Sequence, residues 1–215
     1  MSDVSRRDAL KLMGAVPLVG ALEWSGPGVE RATRMVARLH TDADAAPYTP
    51  KFFTAHEWRT VRVLADMIIP KDERSGSATD AKAPEFIDFM LMDKETSEAS
   101  RVSMRGGLAW LDTEMRKRFA KDFFSASDVQ RRAVLDDIAF PKKAKPEFAP
   151  GVSWFSRFRS NVGSAFFSSA MGWQDLKYMG NVFNPNWNGC PPEATQKLGV
   201  SYEEFDASLA RSRKA

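Results

Sequence analysis

Helix-start signals and prolines divide this chain into segments whose apolar residues recur every three or four positions, and that punctuation confines it to a helical fold. Thr54-Ala55-His56-Glu57 is a capping box: the threonine hydroxyl accepts the Glu57 amide, and the Glu57 carboxylate reaches back to the threonine amide. Val61, Leu64, Ala65 and Ile68 follow as one stripe, ended by Pro70. Ser127-Asp128-Val129-Gln130 repeats the signal ahead of Val134, Leu135 and Ile138, with Pro141 as the stop. Pro84 suits the first turn of a helix running through Phe86, Ile87 and Leu91. A longer helix is expected over 98–119, with Val102, Leu108, Leu111 and Met115 near one face. Trp154, Phe155, Phe158, Val162, Phe166 and Phe167 mark an unusually aromatic helix, whose rings are expected to pack a core. Val29, Ala32, Val36 and Leu39 mark a short one behind the breaker Ser25-Gly26-Pro27-Gly28. No stretch alternates as a strand does, so the fold class is all-α.

The end of the chain changes character. From Met171 to Pro192, glycine, asparagine and proline are dense and carry Trp173, Tyr178, Phe183 and Trp187 among them. That composition predicts a long irregular C-terminal loop attached to a compact helical domain, with a short helix over 202–211. Disordered segments are poor in large aromatics. An ordered loop that covers something is therefore expected, and its aromatics resemble interface anchors.

The beginning reads as a leader. Ser5-Arg6-Arg7-Asp8-Ala9-Leu10-Lys11 precedes an apolar run from Leu12 to Leu22 and resembles a twin-arginine (Tat) export signal. The run is well short of the roughly 20 residues that span a bilayer as a helix. Residues 1–45 are expected to be leader and linker, and 46–215 the helical domain. Cleavage near Ala21, cleavage after Ala43-Asp44-Ala45 and retention of the leader all stay open. The Tat route carries proteins that are already folded, often with a cofactor.

Local equipment for such a cofactor is missing from the sequence. One cysteine, Cys190, excludes a disulfide framework, a multi-cysteine zinc site and a c-type haem attachment. Glycines form neither a dinucleotide fingerprint nor a phosphate loop, and no nucleophile elbow is present. His40 and His56 are too far apart for a helical metal pair, and His56 is expected at the surface of a helix start. The carboxylate pairs Asp88/Asp93, Asp136/Asp137 and Glu203/Glu204 do not converge on a helix and read as solvated faces. Thirty-one basic residues are interleaved with 28 acidic ones, which argues against a nucleic-acid partner. Cys190, between Gly189 and Pro191, is either a structural thiol in a tight turn or a covalent link to a partner.

Phe52-Phe53-Thr54-Ala55-His56-Glu57, the run Leu64 to Asp72, Pro84-Glu85-Phe86-Ile87-Asp88 and Met104 to Asp112 together resemble the gluconate 2-dehydrogenase subunit 3 family. Tyr178-Met179-Gly180-Asn181 with Trp187 and Gly189-Cys190-Pro191 is similar to its closing segment. The resemblance implies a small, non-catalytic helical subunit of a sugar, glycoside or polyol dehydrogenase. By the same resemblance it is expected to carry no cofactor of its own. FAD is expected in a separate catalytic subunit of the glucose–methanol–choline type, and a cytochrome c is a further expected partner. The resemblance further implies that the small subunit supplies the Tat signal, here expected to be Ser5, Arg6, Arg7, Leu10 and Lys11, to the Tat translocase. Its partner is thereby expected to reach the periplasm or the periplasmic face of the inner membrane. Trp173, Tyr178, Asn181, Phe183, Trp187 and Cys190 are the expected partner-binding residues. The alternative is a stand-alone periplasmic enzyme or binding protein that uses a carboxylate/His site around His56.

Overall fold

The computed structural model describes residues 24, 26–41, 47–178, 180, 185 and 189–203. It divides into two units, Met1–Tyr178 and Met179–Ala215. Among the described residues there are helices and no strands. The first unit holds α1 (Gly26–Thr41), α2 (Ala55–Ile68), α3 (Ala83–Met92), α4 (Glu98–Phe119), α5 (Asp128–Ala139), α6 (Ala149–Phe167) and α7 (Ala170–Leu176); the second holds α8 (Pro192–Leu198).

The helix ends are those their sequences specify. Both capping boxes form, Thr54 with Glu57 and Ser127 with Gln130. Ser97 opens α4 by accepting the Ser100 amide, and Ala120 closes it in the left-handed region at φ 55. Three boundaries differ from the sequence reading. Gly26 and Pro27 lie inside the first turn of α1, where proline lacks nothing the helix needs. Residues 146–148 make a 3-10 turn that leads directly into α6, which therefore begins at Ala149, ahead of the Trp154 that marks it in the sequence. Met171 to Leu176 are helical rather than irregular, because Ser169 caps that turn by accepting the Gly172 amide at 3.1 Å. The helix expected over 202–211 lies outside the described residues beyond Glu203, and α8 carried no expectation.

α6 is the hub: it packs against α2, α3, α4, α5 and α7. Its buried side, including Trp154, Phe158, Val162 and Phe166, recurs at helical spacing, and Trp154 stacks on Phe158 with centroids 5.4 Å apart. The α4–α6 crossing is an interlock of glycine against tryptophan in both directions. A Cβ at Gly107 of α4 would overlap the Trp154 ring of α6, and one at Gly151 of α6 would overlap the Trp110 ring of α4. Only hydrogen at each position lets the two backbones approach.

The expectation that the carboxylate pairs are solvated faces fails for α3. Asp88 is fully buried and anchors the extended arm that precedes α2. Its Oδ1 accepts the Phe52 and Phe53 amides, both at 3.0 Å, and its Oδ2 accepts the Lys51 amide and the Tyr48 hydroxyl, both at 2.8 Å. Burial, and then the bond to Asp88, push the Tyr48 phenol far above its ordinary pKa. Asp93, at the end of α3, accepts Arg31 of α1 at 2.6 Å, and that bond holds its carboxyl below the usual range. One turn before Asp88, Glu85 is 3 % exposed, and burial pushes its carboxyl up despite Arg62 at 3.2 Å. Asp137 pairs with Arg118 at 2.6 Å, while Glu203 is exposed.

Candidate functional site

Two places on the first unit meet the sequence expectations. One is a cleft of about 290 Å³ between the start of α2 and the middle of α4, lined in part by Thr54, His56, Glu57, Arg105, Asp112 and Arg116. His56 is only half-buried at this helix start and is not a free surface histidine. Its Nε2 lies 2.5 Å from Asp112 Oδ2, with Asp112 itself buried. The other oxygen of Asp112 accepts the buried Phe123 amide at 2.9 Å, and Arg116 stands 3.6 Å from Oδ2. One carboxylate therefore joins α2, α4 and the loop after α4.

The remaining charges of the cleft are similarly engaged. Arg105 binds both oxygens of Glu57, at 3.1 and 3.0 Å, donates to the Phe52 carbonyl at 2.5 Å and covers the Phe52 ring. Glu57 in turn accepts the Thr54 amide of the capping box at 2.8 Å. Thr60 lies beneath, 1 % exposed, with its hydroxyl unpartnered. No hydroxyl or thiol hydrogen-bonds His56 among the described residues, so the nucleophile–base–orienter arrangement of a hydrolase is not assembled. Among these residues, no group of three His, Cys, Asp or Glu side chains could hold a metal ion. The geometry is that of a clasp between helices.

The His56→Gln variant separates the clasp from an acid–base site. A clasp predicts a loss of about 1–2 kcal/mol in urea unfolding with the activity of the assembled complex intact. A general base predicts a loss of about 100- to 10,000-fold in turnover.

The second place is α7. Trp173, Leu176 and Tyr178 are 46, 50 and 55 % exposed, and the Trp173 and Tyr178 rings meet edge to face with centroids 5.9 Å apart. Trp173 and Leu176 are three apart on the helix and so neighbours on its surface. Lys177 closes the helix at φ 55, and the Tyr178 amide returns to the Trp173 carbonyl at 2.9 Å, which sets the second ring beside the first. The opposite side of α7 is fixed to the body. Gly172 lies against the Phe166 carbonyl with no room for a Cβ, and buried Asp175 pairs with Arg74 at 3.4 Å while Arg74 also donates to its main-chain carbonyl. The aromatic pair is thus displayed on a rigid support.

Residues 55–185, more than half of the chain, match the family described as Gluconate 2-dehydrogenase subunit 3. The chain belongs to that family. It is an accessory subunit of a dehydrogenase complex, and so a member of a hetero-oligomer with a catalytic subunit. No curated protein and no solved structure matches the chain.

In this subunit 3 protein the matched residues run from the first turn of α2 past the end of α7, so both the clasp and the aromatic pair fall within them, while α1 does not. Of the expected partner-binding residues, Trp173 and Tyr178 are brought together in the first unit. Cys190 belongs to the second, where it is exposed and its amide donates to the Tyr202 hydroxyl at 2.7 Å. Gly189 stands at φ 90 with the Tyr202 ring against its α-carbon, which fits the tight-turn reading of the Gly189-Cys190 pair. Asn181, Phe183, Trp187 and the leader residues Ser5, Arg6, Arg7, Leu10 and Lys11 lie outside the described residues. Sequence reading missed Asp112, which is 56 positions from its histidine. It also missed Leu176, whose place beside Trp173 becomes visible only once α7 is known to be helical.

Proposed function

We propose that this chain is the non-catalytic small subunit of a flavin-dependent sugar, glycoside or polyol dehydrogenase. In this reading it binds the catalytic glucose–methanol–choline-type subunit in the cytoplasm and supplies the Tat signal for joint export to the periplasm. It stays attached there while electrons pass from the partner's FAD to a cytochrome c. The observation that carries the reading is the half-exposed Trp173–Leu176–Tyr178 surface on a firmly held helix, in a chain whose family is one of accessory subunits. Large rigid aromatics of this kind are the usual centre of a binding surface. A permanent interface built around them would bury about 2,000 Å² or more.

Purification of the chain through a C-terminal tag from its native host tests the reading. A larger partner in equal amount, with a flavin absorption spectrum, is the expected eluate. Changing Arg6 and Arg7 to lysine should leave the partner's dehydrogenase activity in the cytoplasm. A chain that elutes alone and colourless overturns the proposal.

A further inference from the structure

Helix α1 lies in the stretch that sequence reading gave to the leader and linker, and it is packed into the domain. Gly28, Ala32 and Val36 recur every fourth residue and are buried, the latter two 0 and 4 % exposed. Val29 and Met35 pack against the same core from its edges, and the Trp24 ring lies 5.6 Å from Phe86 of α3. Arg31 ties the helix to the end of α3 through two bonds to one oxygen of Asp93, at 2.6 and 3.2 Å. Helix α3, against which α1 packs, is among the most apolar segments of the chain, with Phe86, Ile87, Met90 and Leu91 all buried. Removal of α1 would bare part of that surface to water.

We propose that processing of the leader ends before Trp24, and that α1 is a permanent part of the mature subunit. The small residues Ala43-Asp44-Ala45 are therefore not the cleavage site, although their composition suits a signal peptidase. Upstream, Val19-Gly20-Ala21 lies at the end of the apolar run Leu12 to Leu22 and offers small side chains at the positions such a peptidase reads. Hydrolysis there breaks the peptide bond between Ala21 and Leu22. Water adds to the Ala21 carbonyl carbon, leaving a carboxylate on Ala21 and a free amine on Leu22. The peptidase of the exporting membrane supplies the catalyst. This inference rests on the export reading for the existence of a cut, and on the packing of α1 for its place.

Two measurements on the full chain decide it. The first is N-terminal sequencing and intact mass of the exported, C-terminally tagged subunit. A first residue at or before Trp24 is expected, with Leu22 the favoured start, and a mature chain that begins later overturns the proposal. The second is independent of export. A site for a specific protease is placed in the full-length protein within residues 42–46, and the folded protein is cut there. The N-terminal piece should remain bound through gel filtration, and a Val36→Asp change should release it and lower the melting temperature by roughly 10 °C. A piece that leaves freely, with unchanged melting of the remainder, shows that α1 is dispensable and overturns the inference. A chain found only at full length in the cytoplasm would sink the export reading alone, and the in-place cut then decides whether α1 belongs to the domain.

Discussion

Replacing Asp88 with alanine should remove about 3–5 kcal/mol from the unfolding free energy of the subunit, the largest stability loss expected of any polar side chain here. The carboxylate accepts three main-chain amides and one phenol. Phe52 and Phe53 are buried, so their amides cannot turn to solvent when the acceptor goes. A buried donor left bare costs about 1–3 kcal/mol, and two of them exceed the gain from any single neutral hydrogen bond. Set against a domain stability of about 5–15 kcal/mol, the loss is a large fraction of the whole. Two milder variants apportion it. Asp88→Asn keeps an oxygen where Phe52 and Phe53 donate but presents an amide to Lys51 and Tyr48, so it should fall between alanine and the native chain. Tyr48→Phe removes one bond alone and should cost about 1 kcal/mol. Urea unfolding of the four proteins, followed by tryptophan fluorescence, checks the order. Equal losses for Asn and Ala would assign the effect to charge rather than to the orphaned amides.

The second large effect concerns association. Changing Trp173 and Tyr178 together to alanine should weaken binding of the catalytic subunit by about 30- to 1,000-fold, which corresponds to a combined loss of about 2–4 kcal/mol. The same double variant should leave the melting temperature of the isolated subunit nearly unchanged, because both rings are half in solvent already. That contrast separates an interface residue from a folding one. The comparison is an affinity measurement between purified subunits, with Phe124→Ala as the control, since Phe124 is 39 % exposed and lies beneath Arg59 in the loop after α4. Equal binding by the native and double-variant proteins would remove α7 from the interface.

The parts of this molecule that sequence made legible are those governed by neighbours in the chain. A threonine or serine three positions ahead of a glutamate or glutamine specifies its own hydrogen bonds, and both boxes were found where the pattern puts them. The span of α4 and the buried aromatic side of α6 follow the periodicity, although Val102, grouped by spacing with Leu108, Leu111 and Met115, is exposed. Misreadings arise where a distant group decides. Asp88 looked like one of a solvated pair because nothing near it in sequence announces the arm that folds over it from 37 residues away. His56 looked free because Asp112 arrives from another helix. Met171 to Leu176 looked irregular because their glycine is a poor helix former, yet the close approach of Gly172 to α6 requires one. Trp173 and Tyr178 were legible as two of several aromatics expected at a surface, while their pairing and the helix that supports them were not.

The position of α6 as hub also sets a schedule. Five helices precede it in the chain, and four of them, α2 to α5, bury their apolar sides against it. None can complete its packing until Phe167 has been synthesised. At about 5–20 residues per second, roughly 8–30 s separate the emergence of the first dozen residues from that moment. Throughout that interval the nascent chain presents bare hydrophobic stripes, so its yield in the cell depends on whatever shields them before the last long helix arrives.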